Sequence, residues 1–465
     1  MKKQIVLLTL FFVCIVSFAQ RYDYTNDGLF YKIKDATNHT VAVVSENDIN
    51  AGLAAYNVMP TDTINIPETV TISGIEYSVV SIDAYAFFVC TDITWVKLPK
   101  TITLVNSLAF RSATGIKGFE CDDENAVYKS EDGILYNKNM TLIHSFPPAK
   151  TGSWECPATV TTIASYAISR AQISSVTFEE NSVITTIGAN AFYGCLSLLS
   201  VVLPETLKTI QSQCFMNCSA LQTINIPKSV TSIGTEAFYG CESLIAIDVD
   251  TANTIYSSEN GVLYNKKKTR LIIYPANKQD ANYKVNDSTR IVTKYAFWKV
   301  SELSSIELPE VLDSIGLAAF AYCTNLTSIK SYAISAPTKL GNNCFYGIDK
   351  NACVLFVPAG SIDSYRDANQ WKDFLNIVEI DSTETSILEK SNVSISIYPN
   401  PVVSILNVVV GDKYIGETVS LYDINGRCIY RDILDNTRKI IDVNGWTKGI
   451  YFLNIGSLCE KVVVK

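Results

Sequence analysis

The chain has 465 residues, more than one ordinary globular domain, so two or more structural units are expected. Hydrophobic residues make up 48% of it and charged residues only 18%, which is enough apolar material for a sizeable core. The formal net charge is −8, and lysine and arginine show no extended clustering of the kind that a nucleic-acid-binding surface requires, so we predict no nucleic-acid partner.

The first residues have the layout of a secretory signal peptide. Two lysines open the chain, residues 5–16 form an apolar run, and residues 17–19 supply a small-x-small cleavage site. Cys14 suggests a lipoprotein signal instead, but Val13 occupies a place where that processing prefers a small residue. No later stretch is long and apolar enough to span a bilayer. We therefore predict a signal peptide over residues 1–19 and a mature chain without a transmembrane segment.

A nine-residue phrase recurs through the middle of the chain. In Ile233-Gly-Thr-Glu-Ala-Phe238-Tyr-Gly-Cys241, an apolar residue is followed after five positions by an aromatic residue and after three more by a small one. The period is 23 residues, as from Ile210 to Ile233, and two longer gaps interrupt it. The nine apolar anchors are Ile82, Val105, Ile163, Ile187, Ile210, Ile233, Val292, Ile315 and Leu340. Such a period indicates a solenoid, because each coil buries its apolar face only against its neighbours.

Each coil also contains a short strand that ends at proline. Ile224 and Ile226 alternate toward the interior, and Pro227 ends the strand. The two long gaps are copies of each other at an offset of 128 residues, and each contains a hairpin signal, Asp132-Gly133 and Asn260-Gly261. A larger duplication therefore overlies the 23-residue repeat.

The recurrent Ala-Phe and Cys positions resemble the BspA-like branch of leucine-rich repeats. The resemblance covers residues 61–380 and implies a mainly β, right-handed solenoid with two hairpin insertions. It also implies a role in adhesion or ligand binding at the cell surface. We read residues 20–60 as an N-terminal cap, and residues 361–374, with three aromatic residues at helix-compatible spacing, as the closing cap.

Five cysteines share one phase of the repeat: Cys90, Cys195, Cys218, Cys241 and Cys323. We expect them to form a buried column of free thiols, since free cysteine packs as a small hydrophobic residue. Disulfides are the alternative in an oxidising compartment, but they would need one fixed geometry in every coil.

The 23-residue repeat ends before the C-terminus, and a different residue pattern follows it. Residues 381–391 are polar and predict a linker, and residues 392–465 alternate as in about seven short strands of a small β-sandwich. The motifs Tyr398-Pro-Asn-Pro401, Asp423-Ile-Asn-Gly426-Arg427 and Lys448-Gly449-Ile-Tyr451, with a basic last residue, resemble the type A C-terminal sorting domain of type IX secretion. An ordinary accessory sandwich is the alternative.

The resemblance implies that the type IX machinery carries the chain across the outer membrane of a Gram-negative bacterium. The domain is then removed, and the chain is attached to the surface or released. The residues implied in sorting are Pro399, Asn400, Pro401, Gly426, Gly449 and Lys465.

The sequence lacks recognisable catalytic chemistry. There are only two histidines, which excludes a site with several histidine ligands, and no hydrolase elbow, P-loop or zinc-protease helix occurs. The acidic run Asp122-Asp123-Glu124 could hold calcium, but its copy Asp250-Thr-Ala-Asn253 lacks two of the carboxylates, which favours a solvated loop. Carboxylates from different coils could still converge as in a glycosidase. We predict no cofactor, no metal and no enzymatic activity.

Outward-facing strand residues are the candidate binding positions. By alternation, they include Trp95, Lys97, Thr223, Asn225, Asp248, Glu307 and Lys330. Trp95 is the aromatic residue among them and the expected hot spot. The sequence thus predicts a surface binding protein that recognises a host or matrix protein or a glycan. A structural, self-assembling surface component is the first alternative, and a secreted enzyme is the second.

Overall fold

The computed structural model describes two units of the chain, divided between Glu379 and Ile380. The described residues are 21–47, 55–380, 396–398, 401–410, 414–424, 426–436, 438–456 and 458–465. The predicted signal peptide and the sorting residues Pro399 and Asn400 lie outside these ranges. In the described ranges, no helix has both the length and the apolar character needed to cross a membrane.

The first unit begins with nine strands in two sheets. They are β1 (Tyr24–Asn26), β2 (Leu29–Asp35), β3 (Thr40–Val44), β4 (Asp62–Asn65), β5 (Thr69–Ile72), β6 (Ile75–Ile82), β7 (Ile93–Leu98), β8 (Leu104–Val105) and β9 (Gly118–Cys121). One sheet has the order β1-β2-β3-β6-β5, with β8 also paired to β6, and the other has the order β4-β7-β9. A core of buried aliphatic and aromatic residues includes both sheets.

The second group of strands contains the first duplicated half. They are β10 (Tyr128–Glu131), β11 (Ile134–Asn137), β12 (Leu142–Ser145), β13 (Thr151–Cys156), β14 (Thr162–Ile163), β15 (Gln172–Phe178), β16 (Thr186–Ile187), β17 (Ser200–Val201), β18 (Thr209–Ile210), β19 (Thr223–Ile226), β20 (Ser232–Ile233) and β21 (Ala246–Val249). They form the sheets β10-β11-β12-β14-β16-β18-β20 and β13-β15-β17-β19-β21. The parallel register of Ile187, Ile210 and Ile233 repeats the 23-residue period.

The third group of strands repeats this arrangement. They are β22 (Tyr256–Glu259), β23 (Val262–Asn265), β24 (Arg270–Ile273), β25 (Asn282–Lys284), β26 (Ile291–Val292), β27 (Ser305–Leu308), β28 (Ser314–Ile315), β29 (Ser328–Ser331), β30 (Lys339–Leu340), β31 (Val354–Val357) and β32 (Asn376–Glu379), with the helix α1 (Ile362–Asp367) before β32. The sheets are β22-β23-β24-β26-β28-β30 and β25-β27-β29-β31-β32. The predicted mainly β solenoid of about 23-residue coils is confirmed.

The turn between the two strands of a coil is held by a ladder of backbone hydrogen bonds. The N–H groups of Gln213, Phe215 and Asn217 donate to three carbonyl oxygens of the next coil, at 3.0, 2.8 and 2.7 Å. Six pairs of neighbouring coils share this three-rung ladder in the described part of the chain. The first and third donors have positive φ, 58° and 60° here, so the turn presents alternate N–H groups in one direction.

The aromatic residue of most turns enters the core and stacks on its neighbours, and Ile168 takes its place in one turn. Phe215 lies 5.1 Å from Phe192 and 5.6 Å from Phe238 between ring centroids, with interplanar angles of 10° and 3°. Near-parallel rings at these distances are offset, the arrangement that aromatic quadrupoles favour. Phe238 ends this stack, since no ring contact joins it to the described residues that follow.

The cysteines form the predicted column. Cys90, Cys195, Cys218, Cys241 and Cys323 are all buried and unpaired in disulfides. The thiol of Cys218 donates to the carbonyl oxygen of Phe192 in the preceding coil at 3.1 Å. The thiol of Cys241 donates in the same way to the carbonyl oxygen of Phe215. Each thiol thus adds a second hydrogen bond to a buried carbonyl that already accepts a backbone N–H from its own turn. Burial raises the pKa of Cys241 to about 12, so the thiol is not ionised at neutral pH.

Each long gap between anchors contains a coil that the spacing pattern misses. β24 pairs in parallel with β26 through Leu271 and Val292, in the register of an ordinary coil. Its interior ring, Tyr274, follows the anchor after three residues instead of five, and the first copy does the same at Ile143 and Phe146. The gaps are therefore not plain insertions. Each is one coil with a shortened turn and an added β-hairpin, and we call it a hairpin coil.

Two polar side chains fix the hairpin of each hairpin coil. The hydroxyl of Tyr256 accepts the N–H of Ile233 at 2.8 Å, at the edge where β20 lacks a following strand. The buried Asn253 amide donates to two carbonyl oxygens of the preceding coil, at 2.9 and 3.0 Å. Tyr128 and Asn125 make the same bonds in the first copy. Asn125 and Asn253 are thus buried structural residues, whereas the loop residues 122–124 and 250–252 before them are exposed.

The last coil is covered by the segment that was read as a cap. Tyr365 of α1, Trp371 and Phe374 are buried. The indole N–H of Trp371 donates to the carbonyl of Pro337 at 2.9 Å, and the Tyr365 hydroxyl to that of Ala333 at 2.8 Å. Aromatic rings with their polar atoms satisfied shield the apolar end of the stack.

The described residues of the second unit contain seven strands, in agreement with the sequence prediction of about seven. They are β33 (Ser396–Tyr398), β34 (Ile405–Val409), β35 (Thr418–Asp423), β36 (Cys428–Ile433), β37 (Arg438–Asp442), β38 (Gly449–Ile455) and β39 (Leu458–Val464). The sheets β33-β34-β37 and β36-β35-β38-β39 share one buried core of mainly aliphatic residues. This is the expected small β-sandwich.

Candidate functional site

The predicted strand positions lie on the outer surface of the sheets. Thr223, Asn225 and Asp248 are exposed, and the last two are direct neighbours on β19 and β21. Glu307 and Lys330 are likewise neighbours, on β27 and β29, and both are partly buried. These positions form two separate groups with small and charged side chains. They do not converge on one cavity.

Trp95 is less free than its position suggests. Its ring lies over Gly118 of the next strand, and a Cβ at Gly118 would overlap the indole. The side chain is 38% exposed. The neighbouring Lys97 forms an ion pair with Glu120 at 2.8 Å. The absence of a side chain at Gly118 thus allows the Trp95 ring to pack against the sheet. One face of the ring is therefore already in contact within the chain.

A large opening lies at the second hairpin coil. Its shortened turn leaves a gap between the turn that contains Phe238 and the turn that contains Phe297, and a cleft of about 820 Å³ fills this gap. We call it the hairpin cleft. Its lining includes the half-buried rings of Tyr239, Tyr295 and Trp298. None of these residues was a candidate from the sequence.

The two walls of the hairpin cleft carry unmatched backbone groups. The N–H groups of Glu236, Phe238 and Gly240 occupy the donor positions of the turn ladder, yet they have no acceptor among the described residues. On the opposite wall, the carbonyls of Lys294 and Trp298 have no donor within the same ranges. One rung alone crosses from the hairpin coil to that wall, from the N–H of Tyr274 to the carbonyl of Ala296 at 2.8 Å.

Side chains bridge the two turns across the cleft. Glu236 pairs with Lys294 at 2.6 Å and accepts a hydrogen bond from Gln213 at 2.7 Å. Tyr239 packs against Trp298 with 4.4 Å between ring centroids. Partial burial raises the pKa of Glu236, but the two hydrogen bonds more than offset this, and its pKa lies below the usual value. Glu236 is therefore engaged and does not simply face solvent, and its partner Lys294 comes from the next regular coil.

The first hairpin coil shows the same architecture with one of its three turn donors satisfied, since the N–H groups of Phe110 and Ser112 also have no acceptor among the described residues. The Asn106 side chain accepts the N–H of Leu108 at 3.0 Å, and the His144 imidazole bonds the carbonyl of Val105 at 2.8 Å. At the offset of 128 residues, the second copy has Gly234 and Ile272 in place of that asparagine and histidine. The second copy therefore lacks the two side chains that bond the N–H of Leu108 and the carbonyl of Val105 in the first copy.

The bridging residues also differ between the copies. In the first copy, Arg111 lies over the ring of Tyr166 at 5.7 Å. In the second copy, Tyr239 replaces the arginine, and Trp298 replaces a serine at position 169. These differences between equivalent positions of the duplicated halves are the sequence signal that could have located this cleft.

The sorting motifs lie at defined points of the C-terminal sandwich. Gly426, with φ of 77°, closes the turn between β35 and β36, where its N–H donates to the carbonyl of Asp423 at 2.9 Å. Gly449 opens β38. The last residue, Lys465, donates its backbone N–H to Val402, directly after Pro401. The motifs at the two ends of this unit are therefore joined by hydrogen bonds.

Within the described residues, no three histidine, cysteine or acidic side chains lie close enough to hold a metal ion. The Asp122-Asp123-Glu124 run is instead engaged locally: Asp122 accepts the N–H of Glu124 at 2.8 Å, and Glu124 pairs with Lys100 at 3.0 Å. The side chains of the hairpin cleft and of the outer strand positions offer hydrogen bonds, aromatic contacts and charges, which are the interactions used in ligand recognition.

Comparison with known families agrees with both resemblances. Residues 56–184, 144–270 and 274–391 match the family described as BspA type leucine-rich repeat region, in six copies. Residues 396–465 match the secretion system C-terminal sorting domain, which implies the type IX machinery as a partner and export to the cell surface or the medium. Both predicted family assignments are confirmed. Neither is a family of enzymes.

Solved structures with a similar fold come from bacterial leucine-rich-repeat proteins. A cell surface protein of Faecalibacterium prausnitzii is 23% identical, with a TM-score of 0.48 and coverage of 79% of this chain and 98% of that one. A protein of Bacteroides ovatus is 20% identical, with a TM-score of 0.40 and coverage of 77% and 91%. The pneumococcal vaccine antigen PcpA is 16% identical, with a TM-score of 0.38 and coverage of 77% and 98%. No curated protein matches.

Proposed function

We infer, since the chain belongs to the BspA-type leucine-rich-repeat family and ends in a secretion sorting domain, that it is a surface-delivered recognition protein. Its solenoid binds a host or matrix protein or a glycan, and it performs no catalysis. The sorting domain takes it across the outer membrane and is removed, which leaves the solenoid at the cell surface or in the medium.

The hairpin cleft is the observation that carries this proposal. A scaffold repeat needs continuous hydrogen bonding along its axis, as the six regular coil pairs have, and five of these pairs also stack their aromatic rings. At the second hairpin coil, both are interrupted, and half-buried rings and unmatched backbone groups line an open cleft. Concave sites with aromatic walls and a few placed polar groups are typical of ligand binding.

The test is direct binding by the mature protein. We would immobilise the secreted wild type and measure its binding to purified extracellular-matrix proteins, epithelial cells and an array of glycans. Saturable binding to at least one of these surfaces supports the proposal. Absence of binding to all of them, together with concentration-dependent self-association, would instead indicate a structural coat component. Turnover of polysaccharides or peptides in the same preparations would contradict the non-catalytic role.

A further inference from the structure

We propose that the hairpin cleft binds a peptide segment through its main chain, in the place that a complete turn would occupy. This inference rests on the proposed recognition function and names the class of partner. It concerns the cleft at the second hairpin coil and not the outward strand positions.

The regular coils show which chemical group completes this wall. In each of six coil pairs, the three N–H donors of one turn are satisfied by three main-chain carbonyls of the next turn. At the cleft, Glu236, Phe238 and Gly240 present the same donors without acceptors in the described part of the chain. Unpaired backbone groups in a recess are costly unless water or a ligand bonds them. A polypeptide segment supplies the carbonyl pattern that this turn accepts elsewhere.

The opposite wall requires donors, which a peptide also carries. The carbonyls of Lys294 and Trp298 stand where a preceding turn would donate its N–H groups. One ligand that has both acceptors and donors along its length therefore satisfies both walls. Main-chain hydrogen bonds supply affinity in such recognition, and side-chain pockets supply selectivity.

The side chains at the cleft define the kind of segment that fits. Tyr239, Tyr295 and Trp298 favour an apolar or aromatic residue, and the cations of the walls are already paired with Glu236 and Glu242. Farther along the cleft, the register places Arg270, Ile291, Ser314 and Lys339 in one row across β24, β26, β28 and β30.

Arg270 and Lys339, at the two ends of this row, are exposed and have no ion-pair partner among the described residues. Three strand spacings separate them, about 14 Å. A segment that contains both an acidic and an aromatic residue thus matches the charge and the apolar surface of the cleft. The partner is a peptide segment of this chemistry.

The probe is a synthetic peptide with the sequence of residues 313–325 and the change Cys323→Ser. In the chain, this segment supplies the three carbonyls that accept from Tyr295, Phe297 and Lys299, and it contains Phe320 and an acidic first residue. We would add it to the full-length protein and follow hydrogen exchange at single amides by mass spectrometry. A peptide of the same composition in scrambled order is the control.

The expected result is exchange slowed about tenfold or more at the amides of Glu236, Phe238 and Gly240. The amides of Gln213 and Phe215, which are already bonded, should not change. The double variant Tyr239→Arg/Trp298→Ser restores the residues of the first copy and should abolish the protection. Arg111→Tyr, in the first copy, is the matched variant that should leave it intact.

Two results would overturn the inference. The first is unchanged exchange at the three amides with millimolar peptide. The second is protection of these amides by an oligosaccharide but not by the peptide. If the double variant keeps full binding to the matrix protein, cell or glycan that the wild type recognises, the peptide site is refuted while the recognition function stands. If the wild type binds no surface at all, the function itself fails.

Discussion

The end of the aromatic stack at Phe238 predicts an inequality between two otherwise similar substitutions. Phe215→Ala removes a fully buried ring that has stacked neighbours on both sides, at 5.1 and 5.6 Å. Phe238→Ala removes a ring that has a stacked neighbour on one side only and that lines the hairpin cleft on the other. The first change should therefore cost more than the second.

The magnitudes follow from cavity formation and ring pairing. Truncation of a buried phenylalanine to alanine lowers the free energy of unfolding by about 3–5 kcal/mol. Each aromatic pair contributes roughly 0.5–1.5 kcal/mol beyond burial. Phe215→Ala loses one pair more than Phe238→Ala, so the expected difference between the variants is about 1 kcal/mol. Val202→Ala, at a side chain that is 63% exposed, is the control and should change stability by less than about 0.5 kcal/mol.

Native-state hydrogen exchange is the suitable assay. Solenoids open coil by coil, so a single unfolding midpoint does not report on one turn. Opening free energies would be measured at the amides of β18 and β20 in each variant. The reasoning is refuted if Phe238→Ala costs as much as Phe215→Ala or more, because the stack would then continue past the cleft.

Three further predictions concern titratable groups. Glu236→Gln weakens the ion pair with Lys294 and should lower the free energy of unfolding by about 1 kcal/mol at neutral pH. Because the pKa of Glu236 is lowered in the folded protein, the difference between wild type and variant should vanish as the pH falls through and below about 4. A difference that stays constant with pH would contradict this. Burial lowers the pKa of His144, so wild type should lose stability as the pH falls from about 7.5 through 6.5, whereas the variant His144→Ile should lose less in urea titrations. In thiol labelling followed by mass spectrometry, Cys428 should react in the native protein and Cys218 only after unfolding, and native labelling of Cys218 would contradict the buried column.

The repeat made most of the fold predictable. A period of 23 residues with alternating apolar positions leaves few arrangements other than stacked coils, and the shared phase of the cysteines already placed them in one column. Such inferences succeed because each coil repeats the same local chemistry. The C-terminal strands were likewise readable from alternation and glycine turns.

The hairpin coils were not predictable in the same way. Leu271 is followed by its interior ring after three residues, so a search for an aromatic residue after five passes over the whole coil. The sequence also gave no sign of the pair between Glu236 and Lys294, because contacts across the shortened turn depend on which coils become neighbours. The candidate cleft therefore lies where the repeat is interrupted.

For the outward strand residues, the sequence indicates the face of the sheet but not the contacts of the side chain. Alternation correctly indicates that Trp95 faces outward, but only the register of the next strand shows that Gly118 lies beneath its ring. A side chain on an outer face can be seated by a neighbour or free to meet a ligand. Periodicity alone does not distinguish these two states, and the binding role of the seven strand positions stays a prediction.

Export to the cell surface is the premise on which surface recognition depends, and one measurement tests it directly. We would determine the intact mass and the cellular location of the protein in its native bacterium, beside a variant truncated after Ser391. The account predicts that the wild type reaches the surface or the medium without its C-terminal sandwich, while the truncated chain stays in the periplasm. A full-length wild-type chain that remains in the periplasm would contradict it, and the C-terminal sandwich would then serve another purpose.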